Sequence, residues 1–139
     1  MINKYIDSNV FIYSLVASLN DDKTIFCRKI LFSIIRKEIN AFTSFLTWDE
    51  VVYNLKKKLG RNLALSHGEK FLYFPNLNFI KVDRQTIILA QKLMNTYEIN
   101  PRDAIHAATA LTVGVKEIIS DDKDFDKIKD IKRIGIGKN

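Results

Sequence analysis

Asn3-Lys4-Tyr5-Ile6-Asp7-Ser8-Asn9 is the stretch on which the fold turns. Tyr5 and Ile6 suit a short strand. Beyond Asp7 the apolar period changes, and Phe11, Ile12, Leu15, Val16 and Leu19 recur at helical spacing, with Ser8 and Asn9 able to cap the helix they begin. A strand therefore hands over to a helix through an acidic residue, and Asn20-Asp21-Asp22 ends that helix. The alternation continues along the chain. The spacing predicts a helix over 24–39, a buried strand at 41–45, and a helix to Gly60 opened by Thr47-Trp48-Asp49-Glu50, which has the Ser/Thr-x-x-Glu form of a capping box. A helix over 63–73, a strand at 78–82 and a helix capped by Asp83 follow. Asn100-Pro101 starts another helix, with Asn as cap and Pro at the first helical position, so Asp103 falls at its third. A strand at 116–120, a turn over 121–125 and a short strand at 131–136 complete the pattern. Strands alternating with helices imply parallel strands joined by right-handed crossovers. The expected fold is α/β, a three-layer α/β/α sandwich on a central, mainly parallel sheet of four to five strands. At 139 residues and 47% hydrophobic, the chain reads as one domain, 1–139.

Lys and Arg number 22 against 16 Asp and Glu, a net charge of +6, which favours polyanionic partners but also fits any basic soluble protein. The single cysteine, Cys27, can form no internal disulfide, so a reducing compartment is expected. The apolar run 9–19 is too short for a membrane span, and Asp7 before it is the wrong charge for an export signal; a cytoplasmic protein follows, with no membrane partner.

Four acids, Asp7, Glu50, Asp103 and Asp122, fall where strands give way to helices or turns. In a parallel α/β sheet those junctions gather at the carboxyl ends of the strands, where ligands bind. Each acid has an ordinary structural use. Glu50 would close its capping box, Asp103 would favour the positive end of its helix dipole, Asp122 would brace its turn, and Asp7 would cap the first helix. Their joint placement is harder to account for in that way, because crowded carboxylates repel and raise one another's pKa unless something neutralises them. Oxygen donors alone point to a hard cation, Mg²⁺ or Mn²⁺. Zinc is disfavoured by one Cys and two His without zinc-ligand spacing. Paired ions of this kind stabilise in-line displacement at a phosphoryl centre, and a nucleic-acid phosphodiester is the natural substrate. Arg102, Lys56, Lys57, Lys58 and Arg61 are the candidates for its backbone, each also readable as a solvated surface charge.

The segments Tyr5-Ile6-Asp7-Ser8-Asn9-Val10, Thr47-Trp48-Asp49-Glu50-Val51, Pro101-Arg102-Asp103-Ala104-Ile105-His106-Ala107-Ala108-Thr109-Ala110-Leu111 and Ser120-Asp121-Asp122-Lys123-Asp124-Phe125 resemble the successive signatures of the PIN domain, and within it the VapC-type toxins. The resemblance spans nearly the whole chain in order. It implies a metal-dependent endoribonuclease, a homodimer, and a small antitoxin whose tail enters the active-site groove. On it, Asp7, Glu50, Asp103 and Asp122 match the catalytic, metal-binding quartet, with Asp7 and Asp103 the most dependable ligands. Ser8, Asn9, Ser120 and Asp124 match its supporting polar positions. Asp121 stands where the family more often has an uncharged residue, and the ligand lying three residues before Phe125 selects Asp122 over it; Glu50 is preferred to Asp49. The implied reaction is hydrolysis of RNA by a metal-activated water, leaving 5′-phosphate and 3′-hydroxyl ends.

His106 lies at i+3 from Asp103 and so shares its face, which invites a general-base role; helix packing or a surface position is the preferred reading. His67 has no metal spacing. Trp48, Phe71, Tyr73, Phe74 and Phe79 could stack on bases but read first as core or dimer packing. Among rivals, a haloacid dehalogenase type would want Asp where Asn9 stands, and a receiver-type domain would want an acidic pair and a late lysine. An inactive RNA- or partner-binding PIN-like module, or a processing or decay nuclease without an antitoxin, is the remaining alternative.

Overall fold

Adjacent side chains at the end of the first strand, β1 (Ile2–Ile6), enter opposite layers of the protein about its sheet: Ile6 packs into one apolar cluster and Tyr5 into the other. The computed structural model describes residues 2–16 and 21–137. After β1 come α1 (Ser8–Val16), α2 (Asp22–Ile35), β2 (Ile39–Ser44), α3 (Phe45–Leu59) and α4 (Arg61–Leu72). They are followed by β3 (Leu77–Ile80), α5 (Arg84–Thr96), α6 (Pro101–Thr112), β4 (Glu117–Ile119), a 3-10 turn (Lys123–Lys127) and β5 (Lys132–Ile134). The sheet order is β3-β2-β1-β4-β5 with every neighbouring pair parallel, so the expected α/β/α sandwich is the observed one.

One layer is built on α1 to α4, through Val10, Phe11, Cys27, Ile34, Val51, Leu55, Ala64 and Phe71, and also takes Ile6 and Ile119 from the sheet. The other is built on α5 and α6, through Ala90, Leu93, Ala104, Ala107 and Ala108, with Tyr5, Ile118 and Phe125. The alanines of α6 pack with Tyr5 of β1 and Ile118 of β4, which sets the helix against the sheet. The chain leaves β1 for β2 and β3 on one side and returns to β4 on the other. Connectivity therefore reverses between β1 and β4, where an open α/β sheet forms a crevice at the carboxyl ends of its strands.

Several boundaries differ from the sequence reading. The helix expected over 24–39 stops at Ile35, where Lys37 turns the chain at a φ of 61° and frees Ile39 for β2. The capping box at Thr47 does not form. Helix α3 starts at Phe45 with Ser44 as its cap, and the buried Thr47 hydroxyl pairs instead with Thr43 Oγ1 at 2.7 Å. The next helix begins earlier than expected, at Arg61, and β3 ends at Ile80. Asp83 does cap α5, in a reciprocal box with Thr86, and Pro101 does open α6, although the Asn100 side chain makes no capping bond. The turn after β4 is a 3-10 turn capped by Asp122, and the last strand shortens to Lys132–Ile134. Leu19 and Asn20 lie outside the described residues.

Candidate active site

Asp7 follows β1 directly, at the connectivity reversal, and its amide donates to the Ile119 carbonyl of β4 at 3.1 Å. The residue is 4% exposed and its side chain is held from several directions. Oδ1 accepts the Ser8 amide at 2.7 Å and Oδ2 the Ser120 hydroxyl at 2.5 Å, with Asn9 Nδ2 at 3.3 Å. Ser8 and Asn9 thus stand inside α1 instead of ahead of it, and their side chains serve Asp7 and Ser120. The Ser120 hydroxyl also accepts the Asp122 amide at 2.9 Å, so one buried serine ties the end of β1 to the turn after β4. Phe125, fully buried, anchors that turn.

Asp103, at the third position of α6, faces the same place and is buried. Asp103, Asp122 and Asp124 bring carboxylate oxygens within 4.8 Å of one another. Asp122 Oδ1 also accepts the Asp124 amide at 2.9 Å, and Asp124 pairs with Lys127. Glu50 arrives from α3 and, with Asp7 and His106, forms a second group of the same compactness. Glu50, Asn100, Pro101, Arg102, Asp103 and Asp122 line an open cleft of about 490 Å³. Three of the four acids singled out in the sequence, Glu50, Asp103 and Asp122, therefore line one cleft, and Asp7 lies behind them, within 4.8 Å of Glu50. Arg102 stands on its wall and reaches Asp49 at 3.7 Å, while Lys56, Lys57 and Arg61 are exposed outside that lining.

The neighbouring acids are neutralised by side chains. Asp121 is bound by Lys23 at 2.8 Å and Tyr13 at 3.0 Å, and Asp126 by the Arg133 fork. Asp7, Asp103 and Asp122 have no Lys or Arg partner within salt-bridge distance among the described residues. The electrostatic consequence is marked. Burial and then the repulsion of Asp122 and Asp7 push Asp103 up to about 8. Burial also raises Asp7, against the opposing pull of His106 and the Ser120 hydrogen bond. Such a donor set suits a hard divalent cation: closely spaced oxygens, no Lys or Arg counter-charge among the described residues and an open side. Asp103 and Asp122, with Asp124 behind them, and Asp7 and Glu50 opposite are the residues that would hold it.

His106 is the residue the sequence reading undervalued. It is completely buried, Nε2 lies 2.5 Å from Glu50 Oε1 and 3.7 Å from Asp7 Oδ1, and Nδ1 lies 2.6 Å from the Tyr5 hydroxyl. Burial works against its charged form. Tyr5, the Glu50 hydrogen bond and the charges of Asp7 and Glu50 outweigh that and raise its pKa well above the usual value. The signal available beforehand was its i+3 spacing from Asp103; its contact with Glu50 could not be read without the fold.

A strand-end aspartate, a helix-start aspartate and a turn aspartate around one sheet crevice define a known class. The chain belongs to the PIN domain family, whose model matches residues 4–131. Comparison with curated protein sequences gives no significant match. Among solved structures, VapBC2 from Rickettsia felis bound to a promoter DNA fragment is similar at a TM-score of 0.74 and 15% identity, covering 97% of this chain and 99% of that one. The DNA-bound VapBC of Salmonella typhimurium aligns at a TM-score of 0.71 and 18% identity, covering 97% and 98%. VapC20 of Mycobacterium tuberculosis, a sarcin-ricin loop cleaving toxin, aligns at 0.70 and 14%, covering 88% and 92%. At these identities the likeness is one of fold.

Proposed function

We propose that this protein is a divalent-metal-dependent endoribonuclease and the toxin of a toxin–antitoxin pair. The observation that carries the reading is that Glu50, Asp103 and Asp122 line one cleft and Asp7 lies within 4.8 Å of Glu50, all four without a Lys or Arg partner among the described residues. Family membership and the likeness to VapBC complexes support it. A bound Mg²⁺ or Mn²⁺ supplies Lewis acidity toward the phosphoryl oxygen and offsets charge that develops during displacement.

The protein's own part is placement. Asp7 is locked by Ser8, Asn9 and Ser120, so its carboxylate enters the site in one orientation. Asp103, with its raised pKa, keeps a proton at neutral pH while the cleft is free of metal and surrenders it when a cation binds. Arg102, on the cleft wall, is placed to meet an RNA phosphate and orient the scissile bond. An ionised cleft carboxylate then accepts the proton of the attacking water. The small antitoxin and a homodimer are the partners in this proposal, with the antitoxin's tail occupying the same groove.

Cleavage of structured RNA by the purified protein tests the reading, with Mg²⁺, Mn²⁺ or EDTA present. Asp7→Asn and Asp103→Asn each abolish cleavage while circular dichroism stays native, and the wild-type products carry 5′-phosphates that ligate directly. Retained cleavage in both variants would remove the proposed site.

A further inference from the structure

Tyr5 and His106 form a buried polar pair that the mechanism above does not use. Tyr5 lies on the α6 side of β1 and is fully buried, its ring meeting the imidazole edge-on at 5.6 Å between centroids. Its hydroxyl can donate or accept, so it satisfies Nδ1 of His106 in either state. An ionised Glu50 carboxylate only accepts, so Nε2 must carry the hydrogen shared with Oε1. Tyr5 thereby fixes the tilt of the ring, and the Glu50 carboxylate sets the direction in which it donates.

Glu50 is carried by α3, in the opposite layer from α6, and Oε1 to His106 is the one hydrogen bond its carboxylate makes among the described residues. A glutamate side chain with its rotations free would sweep the cleft, and the histidine limits it to one pose. We infer that His106, braced by Tyr5, is the positioning residue for Glu50, aiming that carboxylate into the cleft that Asp103 and Asp122 line on the other side. This inference rests on the nuclease reading of the same site. A general-base role does not fit the geometry: both ring nitrogens are engaged inside the protein, and the side chain is sealed from the cleft solvent.

The test is a set of variants read in two independent ways, RNA cleavage and Mn²⁺ binding by electron paramagnetic resonance. His106→Leu lowers kcat and weakens Mn²⁺ binding by about 10- to 100-fold, as loss of a supporting partner of a metal ligand does, and leaves KM for RNA nearly unchanged. His106→Gln, whose amide can donate to Glu50, recovers most of both. In the Glu50→Gln background, adding His106→Leu costs no more than about twofold, because the group to be positioned is already lost. Tyr5→Phe, which keeps the ring volume, loses several-fold on the wild-type background and nothing on Glu50→Gln; this cycle stands in if His106→Leu does not fold. Losses that multiply in the double variants, or a His106→Gln protein as impaired as His106→Leu, overturn the inference. A wild-type protein that binds Mn²⁺ but cuts no RNA overturns the nuclease reading instead, and the Mn²⁺ cycle still decides the role of His106.

Discussion

Replacing Asp103 by Asn should make the metal-free protein more stable, by an amount that depends on pH. In the unfolded chain Asp103 loses its proton near 3.8, whereas in the fold it holds it up to about 8. Between those values the folded state binds an extra proton, so wild-type stability falls as pH rises through the window and levels off above it. Asparagine does not titrate, and the advantage of Asp103→Asn must grow over the same interval. A shift from 3.8 to about 8 corresponds at face value to roughly 6 kcal/mol. That figure is a ceiling, since Asp103 opens on the cleft, and screening by solvent reduces it to about 1–2 kcal/mol. For a chain of this length the corresponding rise in Tm is about 3–8 °C. Differential scanning fluorimetry of both proteins in EDTA, from about pH 4.5 to about pH 9, measures it. Saturating Mg²⁺ should shrink or reverse the difference, because the wild type then gains binding energy that the variant lacks. A stability difference that is constant across pH, or largest at acid pH, would refute the reasoning.

Three further outcomes are expected. Mg²⁺ binding at neutral pH should release up to about one proton, mainly from Asp103, so its calorimetric enthalpy should vary with the ionisation enthalpy of the buffer; no buffer dependence would argue against the raised pKa. Gly68→Ala should destabilise the α3–α4 contact, because a Cβ there would lie 2.7 Å from Val52 Cγ2; overpacking costs about 1–3 kcal/mol, which exceeds the gain in helix propensity of about 1 kcal/mol, and a raised Tm would contradict this. Ser44→Ala should leave the protein equally or slightly more stable, since the buried Ser44 hydroxyl has no hydrogen-bond partner among the described residues; a loss above about 1 kcal/mol in urea unfolding would show a hidden partner.

Much of the architecture was readable because local signals agreed. Alternation at Tyr5 and Ile6, Pro101 after Asn100 and Asp83 before Thr86 each specify an element boundary through short-range chemistry. Where a side chain had a stronger distant partner, the local reading failed: Thr47 pairs with Thr43 and Glu50 with His106, so neither was free to close a capping box. Asp121 and Asp122 show the same principle from the other direction. Adjacent in sequence, they point to opposite fates, one to Lys23 and Tyr13 and the other to the cleft, and the buried Phe125 that anchors the turn was the sequence cue that separated them. His106 resisted interpretation because its neighbours on α6 are mostly alanines, which look like plain packing, and both of its partners come from other segments.

The bond from Ser120 to Asp7 joins residues 113 positions apart. Parallel pairing of β1 with β4 is likewise non-local, and contacts of that kind form late. A ribosome adding about 5–20 residues per second must therefore extrude the segment around residue 120 before the first aspartate acquires its setting. On the proposed function, the nascent chain stays harmless to the RNA that is producing it until synthesis has passed that segment.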